Sequence, residues 1–279
     1  MNIHISDNQI MRVCEHYGSL IEKGIVKDIS SMIVDLKSKI KEEVTYIMLD
    51  GSMLLTKKFK WKEIKLCRIF NQSQNIGIQA HRNKIMKSVF VSHLGGANKF
   101  FIKVERHLTT YKHKVFIGDG AAWIWKWVEN NYPGATQILD FYHALEKLCS
   151  LAMNHFKDEE KRKEWIERLK QKLLNDQIAE VIDEIKSLKV SKVLSMQKSK
   201  LLSYYTTHED RMLYKTFLDK GLMIGSGPIE ASHVNVIQQR MKLAGQRWTF
   251  KGANAVATLR CFHSGGNWER VVTCVKMAA

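Results

Sequence analysis

The pattern of apolar and polar positions divides the chain into stretches of different character. Between residues 15 and 43, Leu20, Ile21, Ile25, Ile29, Ile33, Leu36 and Ile40 recur at helical spacing and predict a helix. The pattern then changes. VTYIMLDGSMLLT (44–56) is rich in β-branched and apolar residues and predicts a strand running through Asp50. WKEIKLCRIFN (61–71) alternates and predicts a second strand paired to the first, with Lys57 to Lys60 near the turn. MKSVFVSH (86–93) predicts a third strand, and Gly95 and Gly96 break the chain before a helix over 97–111. KVFIGDG (114–120) predicts a short buried strand ending at Asp119. The helix after it, AAWIWKWVENNY, carries Trp123, Trp125 and Trp127 as core candidates; Pro133-Gly134 closes it, and ATQILD (135–140) predicts another short strand. This β-β-β-α-β-α-β order fits an α/β fold, a mixed sheet flanked by helices.

From Ala144 to Lys220 the strand signal disappears. The segment is charge-rich, and Trp165, Ile166, Leu169, Leu173, Leu174, Ile178, Val181, Ile182 and Ile185 recur at helical spacing, which predicts an all-helical insertion. The chain then returns at Gly221 and runs through further helices. The expected organisation is an N-terminal helical remnant (1–43), a first part of the core (44–143), the insertion (144–220) and the final helices of the core (221–279).

Composition narrows the partner. With 44 Lys plus Arg against 28 Asp plus Glu, the 279-residue chain carries a formal charge of +16, which favours a polyanion, nucleic acid before membrane. Cys14, Cys67, Cys149, Cys261 and Cys274 show no Cys-x-x-Cys spacing, so no zinc ribbon is written here, and their scatter suits a reducing cytosol. No run approaches the ~18–20 apolar residues of a membrane span, and the first residues lack a signal-peptide pattern. The expectation is a soluble cytoplasmic protein.

Three acids are candidates for chemistry. Asp50 and Asp119 each follow an apolar run and precede Gly, and Glu230 follows Gly225-Ser226-Gly227-Pro228-Ile229 at a helix start. Each has a plainer reading: Asp50 as an ordinary Asp-Gly turn, Asp119 as a helix N-cap, Glu230 as a first-turn carboxylate favoured by the helix dipole. If the strands carrying the two Asp residues are neighbours, their carboxylates meet at one edge, and close anions require a cation. Mg²⁺ prefers carboxylate oxygen and keeps waters for phosphate. Glu129 and Glu146 rank below Glu230, falling mid-helix without a Gly-rich approach. Asp140 and His143 form an Asp-x-x-His at a strand-to-helix junction, either an accessory to such a site or a helix-capping pair. Gln238, Gln239, Arg240, Lys242, Gln246 and Arg247 could contact DNA or form a solvated face, and Trp248 could stack on a base or anchor a helix.

The segments LDGSMLLT, WKEIKLCRIF, FIGDGAAWIW, YPGATQILDFYHALEKL, GLMIGSGPIEASHVNVIQQRMKLAGQRWT and GANAVATLR resemble bacterial insertion-sequence transposases of the DDE type, in the Kra-type family. The resemblance spans residues 44 to 262. It implies a ribonuclease-H-like fold with Asp50 on the first strand, Asp119 on the fourth and Glu230 on a helix after the insertion. It implies Mg²⁺, with Mn²⁺ as substitute, held by these three acids. It implies DNA partners, the element ends and the target, bound by a homo-oligomer. The implied reaction is attack of water on a phosphodiester to free a 3′-hydroxyl, which then attacks target DNA. Asp140 and His143 match an Asp-x-x-His element of insertion-bearing families. Such families carry a substantial region before the first acid; here 49 residues precede Asp50, so the chain reads as N-terminally short. Two other readings stand beside this one: a ribonuclease-H-like nuclease that cuts without joining, and a non-catalytic DNA-binding remnant.

Overall fold

The structure, a computed structural model, describes residues 5–27, 41–79 and 82–278. The chain forms two compact units, one of Met1–Val115 with Gly227–Ala279 and one of Phe116–Ser226.

The first unit begins with α1 (Asp7–Lys27). The rest of the helix expected to residue 43 falls largely on 28–40, outside the described residues. Three antiparallel strands follow: β1 (Lys41–Thr56), β2 (Lys60–Asn71) and, beyond a small hairpin of β3 (Asn75–Gln79) and β4 (Arg82–Ile85), β5 (Val89–Leu94). Tyr46, Ile47, Met48 and Leu49 are all fully buried in succession. Successive strand residues point to opposite faces, so β1 is covered on both sides and its apolar run is continuous rather than alternating. The β3–β4 hairpin was not foreseen. Its strands are short, and Ile76 and Ile78 are exposed, so they leave no core-facing alternation to read. Helix α2 (Ala97–Glu105) ends earlier than expected, and β6 (Tyr111–Gly118) leads into the second unit.

The main sheet runs β5-β2-β1-β6-β7, with β7 at Thr136–Leu139. Counted within the sheet alone the order is 3-2-1-4-5. This is a mixed five-stranded sheet flanked by helices, the α/β class expected.

The first unit closes with α9 (Gly227–Ser232), its continuation through a π-helical segment His233–Gln238 and a short α10 (Gln239–Met241), then α11 (Phe250–Ser264) and α12 (Trp268–Ala278). Thr249 caps α11, its hydroxyl accepting from Gly252 N at 2.9 Å. Residues 252–258 of α11 are all buried, which small side chains permit. Gly18 of α1 meets the Ala255 backbone so closely that a Cβ would lie 2.5 Å from its carbonyl oxygen. Asn254 clamps the end of β5: its Oδ1 accepts from Leu94 N at 2.9 Å, and its Nδ2 donates to Leu94 O at 3.2 Å.

The second unit holds α3 (Ala122–Asn131), β7, and then helices α4 (Phe141–His155), α5 (Glu159–Leu174), α6 (Ile178–Ser187), α7 (Lys192–His208) and α8 (Tyr214–Asp219). Trp125 and Trp127 are buried, as a strongly apolar helix requires. Tyr205 donates to Ala144 O at 2.9 Å, tying α7 to α4. Arg211 is buried against the Trp125 ring and bonded to Glu129 and Gln137, which accounts for Glu129 structurally. No helix among the described residues is long and apolar enough to cross a membrane.

Candidate active site

Asp50 lies in the middle of β1, paired with Leu66 of β2. The strand runs through Asp50 as expected, which corrects the turn reading: pairing continues on both sides, with Gly51 opposite Lys65. A Cβ at Gly51 would run into the Glu63 carboxyl group, so the glycine makes room for a neighbouring side chain. The Asp50 Oδ1 accepts from Gly51 N at 2.7 Å, and Oδ2 lies 3.4 Å from Nε2 of His233.

His233 is 2% exposed. Neither ring nitrogen has a hydrogen-bond partner among the described residues. Burial pulls its pKa down to about 4, the Lys242 charge adds to this, and Asp50 and Glu63 oppose it. The imidazole is therefore neutral near pH 7.

Glu230 is exposed in the first turn of α9. Pro228 suits that turn, where its missing N–H removes nothing from the helix. Arg68 of β2 fastens the turn, donating from Nη1 to Pro228 O at 3.0 Å and to Ser232 Oγ at 3.3 Å. The guanidinium is itself flanked by Phe70 and Phe90 and bonded through Nε to Ser88 Oγ. His233 follows Glu230 by three residues, so the contact with Asp50 sits one helical turn from Glu230. The first unit thus gathers Asp50 and the Glu230 helix, 180 positions apart, onto one patch. Where the helix changes to π geometry, Arg260 takes the carbonyls of Asn235 and Val236. Such segments break the regular ladder and gather at functional places.

Downstream, Gln239, Arg240, Lys242 and Arg247 are exposed, and Gln239 also reaches Asn235 Oδ1 at 3.3 Å. Lys242 is held below its ordinary pKa by partial burial, an effect the Asp50 charge opposes. Trp248 is different. It is buried, its indole N–H donates to Met241 O at 2.9 Å, and the Arg240 guanidinium lies 5.8 Å from its ring centre. Of the two uses the sequence left open, stacking on a base or anchoring a helix, the ring serves the second here.

In the second unit, Asp119 follows β6 and is half-buried. It is not the helix cap, which is Ala121; its Oδ1 accepts from Ala121 N at 2.9 Å in a tight Asx turn. Its carbonyl accepts from Trp125 Nε1 at 2.6 Å. A Cβ at Gly120 would overlap the Tyr204 ring, so this glycine too admits a side chain. Tyr204 has its pKa raised by burial and then by the charges of Asp119 and Asp140.

Asp140 is fully buried and caps α4, with Oδ1 accepting from His143 N at 2.6 Å and lying 3.3 Å from His143 Nδ1. Its Oδ2 accepts from Ser226 N. Burial would raise its pKa, but the bonds from His143 and Ser226 hold it below the ordinary value. Asp140 N donates to Gly118 O at 2.8 Å, so Asp119 and Asp140 stand at the ends of adjacent strands.

No protein-family model matches the chain, and no curated protein matches it. Among solved structures it is similar to the Drosophila P element transposase strand transfer complex, at 10% identity over 97% of this chain and 81% of that one, with a TM-score of 0.25.

Sequence reasoning overlooked His233, Arg68 and Tyr204. Only His233 left a signal, standing one turn after a candidate acid; the other two act through contacts that no spacing records.

Proposed function

We propose that this chain is a DDE-type transposase of the bacterial Kra-type family, acting in the cytoplasm as a homo-oligomer on DNA. It would cleave at the ends of an insertion sequence and join them to target DNA. The observation that carries this reading is the Asp50–His233 approach of 3.4 Å, which brings a mid-strand carboxylate beside the helix of Glu230. The reading adds Asp119, from the end of β6, as the third acid.

The donor chemistry fits Mg²⁺ or Mn²⁺. Asp50 and Glu230 offer hard carboxylate oxygens, Asp50 with its side chain 30% exposed and Glu230 open to solvent. When bound, the metal would neutralise phosphate charge and lower the pKa of an attacking water. Asp50, Asp119 and Glu230 would hold it. His233, neutral, packs beside Asp50 without adding a competing charge. Gln239, Arg240, Lys242 and Arg247 would take DNA phosphates, so affinity should fall steeply with salt. Asp140, buried and fully bonded, would brace α4 and the Ser226 backbone, with His143 beside it.

The test is cleavage and strand transfer on pre-cut and intact element ends. Asp50→Asn, Asp119→Asn and Glu230→Gln should each abolish Mg²⁺- or Mn²⁺-dependent products while leaving DNA binding in place. Full activity in any one removes that residue from the site. Nicked products without joining would mark a nuclease, and binding without cleavage in the unsubstituted chain a non-catalytic remnant.

A further inference from the structure

The tip of the β1–β2 hairpin reads Lys57-Lys58-Phe59-Lys60-Trp61-Lys62, and all six residues are exposed. Phe59 and Trp61 are each 57% exposed. Large aromatic residues are normally among the most buried, and two open rings within six residues call for a partner. Among the described residues none of the four ammonium groups is paired with a carboxylate.

The tip is held firmly. The Thr56 hydroxyl donates to Lys60 O at 2.8 Å and accepts from Phe59 N at 3.1 Å. Its base is tied to the segment after Arg247, with Lys57 N donating to Trp248 O at 2.9 Å and Trp248 N to Leu55 O at 3.0 Å. Lys60 sits in the left-handed region at φ 55, a conformation that a non-glycine residue adopts at a cost. Phe59 packs edge-on to Phe250, with centroids 5.5 Å apart. Beside them lies a cleft of about 560 Å³ formed with Lys62, Glu63, Gly95 and Gly96.

Strand register gives the tip a direction. Lys60 pairs with Thr56, Lys62 with Leu54, and Asp50 with Leu66. Partners and every second residue share a face, so Lys60 and Lys62 lie on the Asp50 face and Trp61 on the other. Lys62 stands four residues from Leu66, ~13 Å along the strand. Trp248 joins the base of this ribbon to the stretch bearing Arg240, Lys242 and Arg247.

A partner must therefore carry repeated negative charge and flat apolar faces. We propose that the β1–β2 hairpin tip is a binding site for an unpaired DNA strand. Phe59 and Trp61 stack on its exposed bases, and Lys57, Lys58, Lys60 and Lys62 take its phosphates. A duplex hides its base faces, whereas an unpaired strand offers them for stacking. The inference rests on the DNA-processing reading above and adds the form of DNA and the element that holds it.

The experiment is equilibrium binding of the full chain, without divalent metal, to three probes: an unpaired oligonucleotide, the blunt duplex of the same sequence, and anionic phospholipid vesicles. Phe59→Ala/Trp61→Ala should weaken unpaired-strand binding roughly 5- to 100-fold, as expected for losing one or two stacked bases, and leave duplex binding within about twofold. Trp61→Phe should restore most of the loss, and Trp61→Ala alone, at a residue that is 57% exposed and leaves Phe59 on Phe250 untouched, guards against a folding artefact. Lys57→Gln/Lys58→Gln should weaken both DNA forms and flatten the salt dependence. An unchanged ratio of unpaired to duplex affinity in the aromatic variants overturns this inference alone. Absence of any DNA binding by the unsubstituted chain overturns the transposase reading with it. Preferential binding to the vesicles assigns the tip to a membrane surface and overturns the proposal.

Discussion

Two glycines on one helix should respond in opposite ways to the same substitution. In a helix interior Gly→Ala stabilises by ~1 kcal/mol, because alanine restricts the unfolded chain more and suits the helix better. Gly24 of α1 has nothing within 4 Å of where a Cβ would sit, so Gly24→Ala should realise ~0.5–1 kcal/mol of that gain. At Gly18 the added methyl would lie 2.5 Å from the Ala255 carbonyl oxygen, 2.8 Å from its carbonyl carbon and 2.9 Å from its Cα. These are backbone atoms of a buried helix and cannot turn aside as a flexible side chain would. Ordinary contact begins at 3.4 Å, so α1 must withdraw from α11 by several tenths of an ångström. Overpacking of this kind costs ~1–3 kcal/mol, which exceeds the propensity gain. Gly18→Ala should therefore destabilise by ~1–2 kcal/mol, opening a gap of ~1.5–3 kcal/mol between the variants. Urea unfolding followed by circular dichroism measures it as a lowered midpoint at unchanged m for Gly18→Ala and a raised one for Gly24→Ala. Hydrogen exchange should show lost protection in α1 and α11 of the Gly18 variant only. Equal stabilisation by both substitutions would refute the close approach of the two helices.

Asn254→Ala should cost about 3 kcal/mol, because it removes the amide bonded to Leu94 N and O and leaves both buried backbone groups unpaired; urea titration measures the loss, and a change below ~0.5 kcal/mol would dismiss the clamp. Stability should also fall on acidification. Burial lowers the pKa values of His93, His208 and His233 to about 4, against an ordinary 6.5. Between these values the unfolded chain binds protons that the folded one refuses, so stability is complete above about pH 6.5 and declines toward pH 4. Thermal unfolding from pH 7.5 to 4.5 reads the trend, and a flat profile would contradict the burial of these rings.

The strands were legible wherever burial was two-sided. Tyr46–Leu49 form a continuous apolar run because both faces of the sheet are covered there. The helices of the second unit were legible for the complementary reason, one buried stripe on a charged cylinder, as Trp165, Leu169 and Leu173 show. The β3–β4 hairpin escaped because its apolar residues face outward. The glycines after Asp50 and Asp119 could be recognised as close-approach positions. That the approaching groups are Glu63 and Tyr204 could not, since both come from outside the immediate turn.

The candidate site divides in the same way. Local chemistry marks the three acids, the proline-led first turn of α9 and the Asp140 cap, because each depends on neighbours within a few residues. The residues that orient them are distant in sequence. His233 meets Asp50 across 183 positions, and Arg68 fastens the Pro228 turn across 160. Whether Trp248 stacks or anchors was equally undecidable from its neighbours, and burial decides for anchoring. The order of apolar and polar residues was enough to specify the elements and to mark acids beside glycine, since periodicity and turn chemistry are short-range. Which side chains fill the space beside those acids, and which aromatic rings stay open to solvent, was settled only by packing, because burial depends on every element at once.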